Sequence, residues 1–95
     1  MKKLTNYEQF VVSKLRNPTF KKTLAEESLR LKVAYRILEL RRGHELTQKE
    51  LAKKIGTSQS VVARIEHGQE NISVDRLDMI AHVFGKHVEL RLISV

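Results

Sequence analysis

Residues 47–68, TQKELAKKIGTSQSVVARIEHG, constrain the fold more tightly than any other stretch of the chain. They encode two short helices, each with its own start and stop, and no slack residue between them. Thr47 and Glu50 stand three apart, the spacing of a capping box in which hydroxyl and carboxylate each take one free N–H. Leu51, Ala52 and Ile55 follow as an apolar stripe at helical spacing. Gly56 is the expected stop, because a left-handed residue after a helix is least costly without a Cβ. Ser58 can cap the second helix, whose buried side is Val61, Val62 and Ile65, and Gly68 ends it. The outward face then carries Gln59, Ser60, Ala63 and Arg64, which can donate and accept hydrogen bonds. That face is short enough to enter a major groove. An amphipathic pair inside a small helical bundle is the plainer alternative, but a merely solvated face would hold more Glu and Lys.

The flanking sequence reads as mainly helical. Residues 5–16 predict a first helix, capped by Thr5 with Glu8 three on, and apolar at Tyr7, Val11 and Leu15. Asn17-Pro18 interrupts it, and Pro18 fits the first position of a second helix running to about Arg42. There Phe20, Leu24, Leu31, Tyr35 and Leu38 make one stripe, and Val33, Ile37 and Leu40 another, a wider arc than one contact requires. After the central pair, Asn71 and Ser73 open a further helix with Leu77, Ile80, Ala81 and Phe84 buried, ended by Gly85. Residues 87–93 alternate instead: Val88, Leu90 and Leu92 on one face, Glu89 and Arg91 on the other. A lone strand leaves its backbone groups unpaired, so pairing with the same strand of a second copy predicts a homodimer. A frayed or helical tail is the alternative. The expected layout is an N-terminal helical extension over 1–32, a helix-turn-helix domain over 33–85 and a dimerisation strand over 86–95.

A chain of 95 residues has room for one domain with a modest core. It has no cysteine, which excludes disulfides and cysteine-ligated zinc. No long apolar run follows Lys2 and Lys3, so neither a signal peptide nor a membrane span is expected, and the cytoplasm is the expected compartment. The formal charge of +7 suits a polyanion, yet it is unevenly placed. Residues 1–42 hold eleven Lys/Arg against four Glu, whereas residues 43–95 hold seven of each sign. The central motif is thus neutral, and Lys49, Lys53 and Arg64 must reach phosphates by local geometry. Catalysis finds no constellation. His44, His67, His82 and His87 lack metal-binding spacing, Ser60 has no nucleophile elbow, and Asp75 and Asp78 read as helix-start charges. Neither a metal nor a cofactor is expected, and the chain does not read as an enzyme.

From about Val33 to Phe84 the sequence resembles the Xre, or phage-repressor, family of helix-turn-helix proteins. The resemblance implies that Ala52 is the small residue where the two motif helices touch, that Gly56 opens the turn, and that Val62 locks the second helix onto the first. It implies that Gln48 holds a phosphate and that the recognition helix reads bases from its N-terminal turns, through Gln59, Ser60 and Arg64. Thr57 and Ser58 complete the expected DNA-facing set. Arg41 and Glu66 occupy positions where many members pair an arginine with a glutamate, expected here to be structural. In chemical terms Gln59 matches adenine N6 and N7, Arg64 can fork onto guanine O6 and N7, and Val61 or Ala63 can meet a thymine methyl. A dimer would set two such helices roughly 34 Å apart over a palindromic operator.

The layout also resembles host-inhibition-of-growth (HigA-like) antitoxins of type II toxin–antitoxin systems. The match rests on Asn17-Pro18-Thr19-Phe20 ahead of an Xre-type motif. That resemblance implies a dimer that represses its own operon and neutralises a small basic, mRNA-cleaving toxin related to RelE. The toxin would be held by the apolar surface of residues 4–31, namely Tyr7, Val11, Leu15, Phe20 and Leu24. The same segment is itself basic, which opposes steering of a basic toxin unless Glu8, Glu26 and Glu27 answer it. A free-standing Xre-type repressor, with the extension serving dimer or phosphate contacts, remains the alternative.

Overall fold

The computed structural model describes residues 3–16 and 28–95. Among these, helices run in the order α1 (Asn6–Leu15), α2 (Leu29–Gly43), α3 (Gln48–Lys54), α4 (Gln59–Glu66) and α5 (Val74–Val83). Every start is held by a hydroxyl. The Oγ atoms of Thr5, Ser28, Thr47, Ser58 and Ser73 accept from the N–H three residues on, at 3.0–3.3 Å. At α1 and α3 the box closes, since Thr5 N–H donates to Glu8 Oε1 (3.0 Å) and Thr47 N–H to Glu50 Oε1 (2.9 Å).

The turn between α3 and α4 follows from Gly56, whose φ of 70° is the left-handed conformation expected of it. Thr57 N–H then reaches back to Ala52 O (2.9 Å) and Gly56 N–H to Lys53 O (3.3 Å), so the last carbonyls of α3 are used. A Cβ at Gly56 would meet nothing within 4 Å, so its substitution isolates the backbone effect. Gly56→Ala is expected to cost about 1–2 kcal/mol, read as a lowered midpoint in a circular-dichroism melt. An unchanged midpoint would mean that the turn relaxes. The helix before α3 ends differently: Glu45, not a glycine, takes the left-handed position with φ 57°.

The core lies between α2, α3, α4 and α5. Ile37, Leu51, Ala52, Ile55, Val62, Ile65, Ile80 and Phe84 form one buried cluster, edged by Val33, Leu40, Leu46, Val61, Ile72, Leu77 and Val83. Ala52 and Val62 sit in it as their spacing requires. A second cluster joins α1 to the other side of α2 through Val11 and Leu38, flanked by Tyr7, Val12 and Tyr35. The second helix therefore has two partners: Val33, Ile37 and Leu40 pack under the motif, while Tyr35 and Leu38 take α1.

Two expectations are corrected. The second helix does not run unbroken to Arg42 from Pro18: Ser28 is extended (φ −59°, ψ 150°) and caps a helix beginning at Leu29. Residues 17–27, with Phe20 and Leu24, lie outside the described residues, as does the side chain of Leu15. The C-terminal segment is not a strand, and no strand occurs among the described residues. The described residues offer 86–95 no neighbouring strand, and Val88 N–H donates to Asp78 Oδ1 (3.2 Å). Val88 is half-buried, whereas Leu90 is 73% and Leu92 99% exposed. No described helix is long and apolar enough to cross a membrane.

Candidate nucleic-acid interface

The polar face read from the sequence is assembled on α3, the turn and α4. Val62, Ile65 and Glu66 are buried, which turns Ser58, Gln59, Ser60 and Arg64 outward as exposed residues. Thr57, Val61 and Ala63 are half-buried at its margin. Ser58 and Ser60 share a hydrogen bond between hydroxyls (3.0 Å), which orders the first turn. Arg64 is held by Glu70, its Nε donating to Oε2 at 2.7 Å. That exposed pair is weak enough to be exchanged for another acceptor. Lys49 and Lys53 are exposed on α3. Gln48 is half-buried, and its Nε2 donates inward to Glu66 Oε1 (3.1 Å). It also lines a polar cleft of about 170 Å³ with Lys3, Thr47 and Gln59, among others.

Beneath this face lies a buried charge cluster. Arg41 is 1% exposed and Glu66 0%. Arg41 Nε donates to Glu66 Oε2 (2.6 Å), Nη2 to Glu66 Oε1 (2.9 Å) and Nη1 to the carbonyl of Leu46 (2.8 Å). The expected Arg41–Glu66 pair is therefore a two-pronged bridge from α2 to the end of α4. Sequence reading missed the third member. Glu8, only 4% exposed, accepts from Arg41 Nη2 with its Oε2. Its Oε1 is the one used in the α1 capping box. The local box was legible, but nothing in the sequence points from Glu8 to a residue 33 positions away.

Burial pushes the Glu8 carboxyl up, but the hydrogen bonds from Thr5 and Arg41 and the charge of Arg41 outweigh it, leaving its pKa below the ordinary value. For Arg41, burial pulls down and the two carboxylates pull up more strongly, so it stays charged. Tyr7 completes the tie between α1 and α4. Its hydroxyl donates to the carbonyl of Glu66 (3.1 Å), and its ring stacks on His67 at 4.0 Å between centroids. Burial, with the negative charge of Glu66 and ionised Tyr35 nearby, pushes its pKa up to about 12.

A polar recognition face on a short helix, locked from behind to a helix-turn unit, is the geometry of a groove-reading motif. A helix-turn-helix family model matches residues 37–90, more than half of the chain. The chain belongs to the helix-turn-helix family, in its Xre type. This family comprises DNA-binding transcription regulators, typically without enzymatic activity. An uncharacterized HTH-type transcriptional regulator of Archaeoglobus fulgidus is 39% identical over 54 residues, 57% of this chain and 77% of that protein. The HTH-type regulator MJ0272 of Methanocaldococcus jannaschii is 41% identical over 46 residues, 48% of this chain and 70% of that protein. Antitoxin PezA of Streptococcus pneumoniae is 37% identical over 49 residues, or 52% of this chain. The chain spans only 31% of that antitoxin's length. No solved structure matches.

In this helix-turn-helix protein two of the residues expected to form a toxin contact, Tyr7 and Val11, are engaged within the fold. Val11 is 1% exposed against Leu38, and Tyr7 is engaged with Glu66 and His67. Both contacts tie α1 to the rest of the fold, Val11 to the second helix and Tyr7 to the end of α4. The expected dimerisation residues do differ from core: Leu90 and Leu92 are exposed, with Ile93 beside them.

Proposed function

We propose that the protein binds double-stranded DNA as a two-fold dimer and represses transcription where its operator lies, with α4 in the major groove. One observation carries this reading: the exposed run Ser58, Gln59, Ser60 and Arg64 on a helix whose back is fixed by the buried Arg41–Glu66 bridge. Gln59 reads adenine, Arg64 exchanges Glu70 for guanine, and Gln48, Thr57, Ser58 and Ser60 set register on the backbone and base edges. The exposed Leu90 and Leu92 support dimerisation, with Val88, Leu90 and Leu92 forming a ribbon with the same residues of a second copy. The strand then exists only in the dimer, where its N–H and C=O groups find partners.

Selection from a random duplex library, with molar mass measured in solution, tests this. The expected result is a dimer that enriches a palindrome with half-sites one or two helical turns apart. A monomer, or a protein whose binding to every duplex is equal and vanishes by physiological salt, would reject it.

A second reading has its own support. The likeness to antitoxin PezA favours an antitoxin that represses its own operon and neutralises an RelE-like toxin, although the basic segment ahead of the motif opposes steering of a basic partner. Since Tyr7 and Val11 face inward, that contact falls chiefly on the rest of residues 4–31, Leu15, Phe20 and Leu24 included. Purification of tagged protein expressed from its native operon, followed by mass spectrometry, separates the readings. A stoichiometric small basic partner is the antitoxin outcome; self-dimer and DNA alone mark a free-standing repressor.

A further inference from the structure

We propose that Glu8 of α1 is a positioning residue for DNA binding, acting on Gln48 through Arg41 and Glu66. This rests on the DNA-binding reading above and deepens it, because it makes the N-terminal helix part of the recognition head.

The chain of contacts is continuous. Glu8 Oε2 accepts from Arg41 Nη2. The same nitrogen donates to Glu66 Oε1 at 2.9 Å, and Glu66 Oε1 accepts from Gln48 Nε2 at 3.1 Å. Three links thus run from α1, through α2 and the end of α4, to the first residue of α3. Each middle member is nearly without solvent, which strengthens each link in the network. Glu8 is itself anchored twice in its capping box, which makes it a fixed post and not a mobile surface carboxylate.

The guanidinium has two carboxylates to serve and one plane in which to serve them. With Glu8 in place, Nη2 is shared, and Glu66 Oε1 keeps capacity for the Gln48 amide. Without the Glu8 charge, Arg41 shifts toward Glu66, its remaining anion, and the oxygen that holds Gln48 moves with it. Gln48 lines the cleft that also holds Lys3 and Gln59, so its displacement is felt on the face offered to DNA. Tyr7 makes a different kind of tie: it bonds the backbone of Glu66 and stacks on His67, without touching the guanidinium.

A double-mutant cycle on the full chain tests the assignment. Glu8→Gln, Gln48→Ala and the double variant are titrated by fluorescence anisotropy against the duplex enriched by the wild type, at a temperature where circular dichroism finds each folded. Glu8→Gln is expected to weaken binding by about three- to ten-fold when Gln48 is present and by less than about two-fold when it is alanine, the non-additivity of residues in one network. Tyr7→Phe serves as the control and is expected to give the same change in both backgrounds. Should Glu8→Gln fail to fold, Glu8→Asp, which keeps the charge but shortens the reach, is read in the same cycle with the same expectation. Equal losses with and without Gln48, or no loss, overturn the positioning role while leaving DNA binding intact. Coupling of equal size for Tyr7→Phe would also overturn it, since the effect would then be a general loosening of α1. If the wild type enriches no duplex, the reading beneath it fails as well.

Discussion

Arg41→Ala is expected to remove about 3–5 kcal/mol of folding stability, the cost of leaving buried charge without its counter-charge. The side chain is 1% exposed and joins α1, α2 and α4 while also satisfying the carbonyl of Leu46. Truncation strands two buried carboxylates, Glu8 and Glu66. A domain of this size has roughly 5–15 kcal/mol in all, so the loss is a large share of the total stability. Arg41→Lys should restore little. One ammonium cannot reproduce a planar fork that serves two carboxylates and a carbonyl. Urea titration followed by circular dichroism measures both variants, and a loss under about 1 kcal/mol for the alanine variant would show that the cluster is worth no more than an exposed pair.

The same cluster sets the response to acid. Glu8 has its folded pKa below its unfolded one, so its contribution is present above the ordinary glutamate range and is lost as pH falls through the folded value. The melting temperature should therefore decline on acidification from about pH 5, and Glu8→Gln should show a shallower decline over that interval. Tyr7 acts in the opposite direction. Its pKa is raised to about 12 in the fold, so its contribution is complete below the ordinary tyrosine value and is lost as pH rises toward about 12.

The second large effect is expected on DNA. Gln59→Ala should weaken binding to the enriched duplex by about 1–3 kcal/mol, or roughly 5- to 150-fold, and relax preference at one position per half-site. Gln59 is exposed on the first turn of α4, and the buried residues of that helix leave it no core function. Its loss should therefore leave the melting temperature nearly unchanged. Arg64→Ala should act similarly at a second position, but from a different starting state, because Glu70 holds the guanidinium at 2.7 Å in the free protein. Glu70→Gln removes that competitor and a negative charge near the phosphates, and so should tighten binding. Anisotropy titrations against the enriched duplex and single-base variants read these changes. Equal losses across all sequences would assign Gln59 to the backbone instead of a base edge.

Local signals were legible wherever the determining residues are close in sequence. Thr47 with Glu50, Thr5 with Glu8, Ser58, Ser73 and the glycine at 56 act within three or four positions, and each does what its spacing predicts. Spacing also identified the inward residues Ala52 and Val62 and the outward Gln59 and Arg64. Ser28 was passed over because its cap competes with a helical pattern that continues on both sides of it. The tail failed for another reason. Alternation says which residues share a face, but a strand also needs a neighbour for its hydrogen bonds, and the described residues hold none.

The sequence by itself determined the helix-turn-helix, because caps, stops and the 3.6-residue period are short-range properties of the backbone and its nearest side chains. Only the tertiary structure decided that α1 packs against α2 and the end of α4. Val11 meets Leu38 across 27 positions of chain, Tyr7 meets His67 across 60, and Glu8 reaches Arg41 across 33. Such pairings are selected by how helices pack and by where a buried guanidinium can find its second carboxylate, and those are properties of the assembled core.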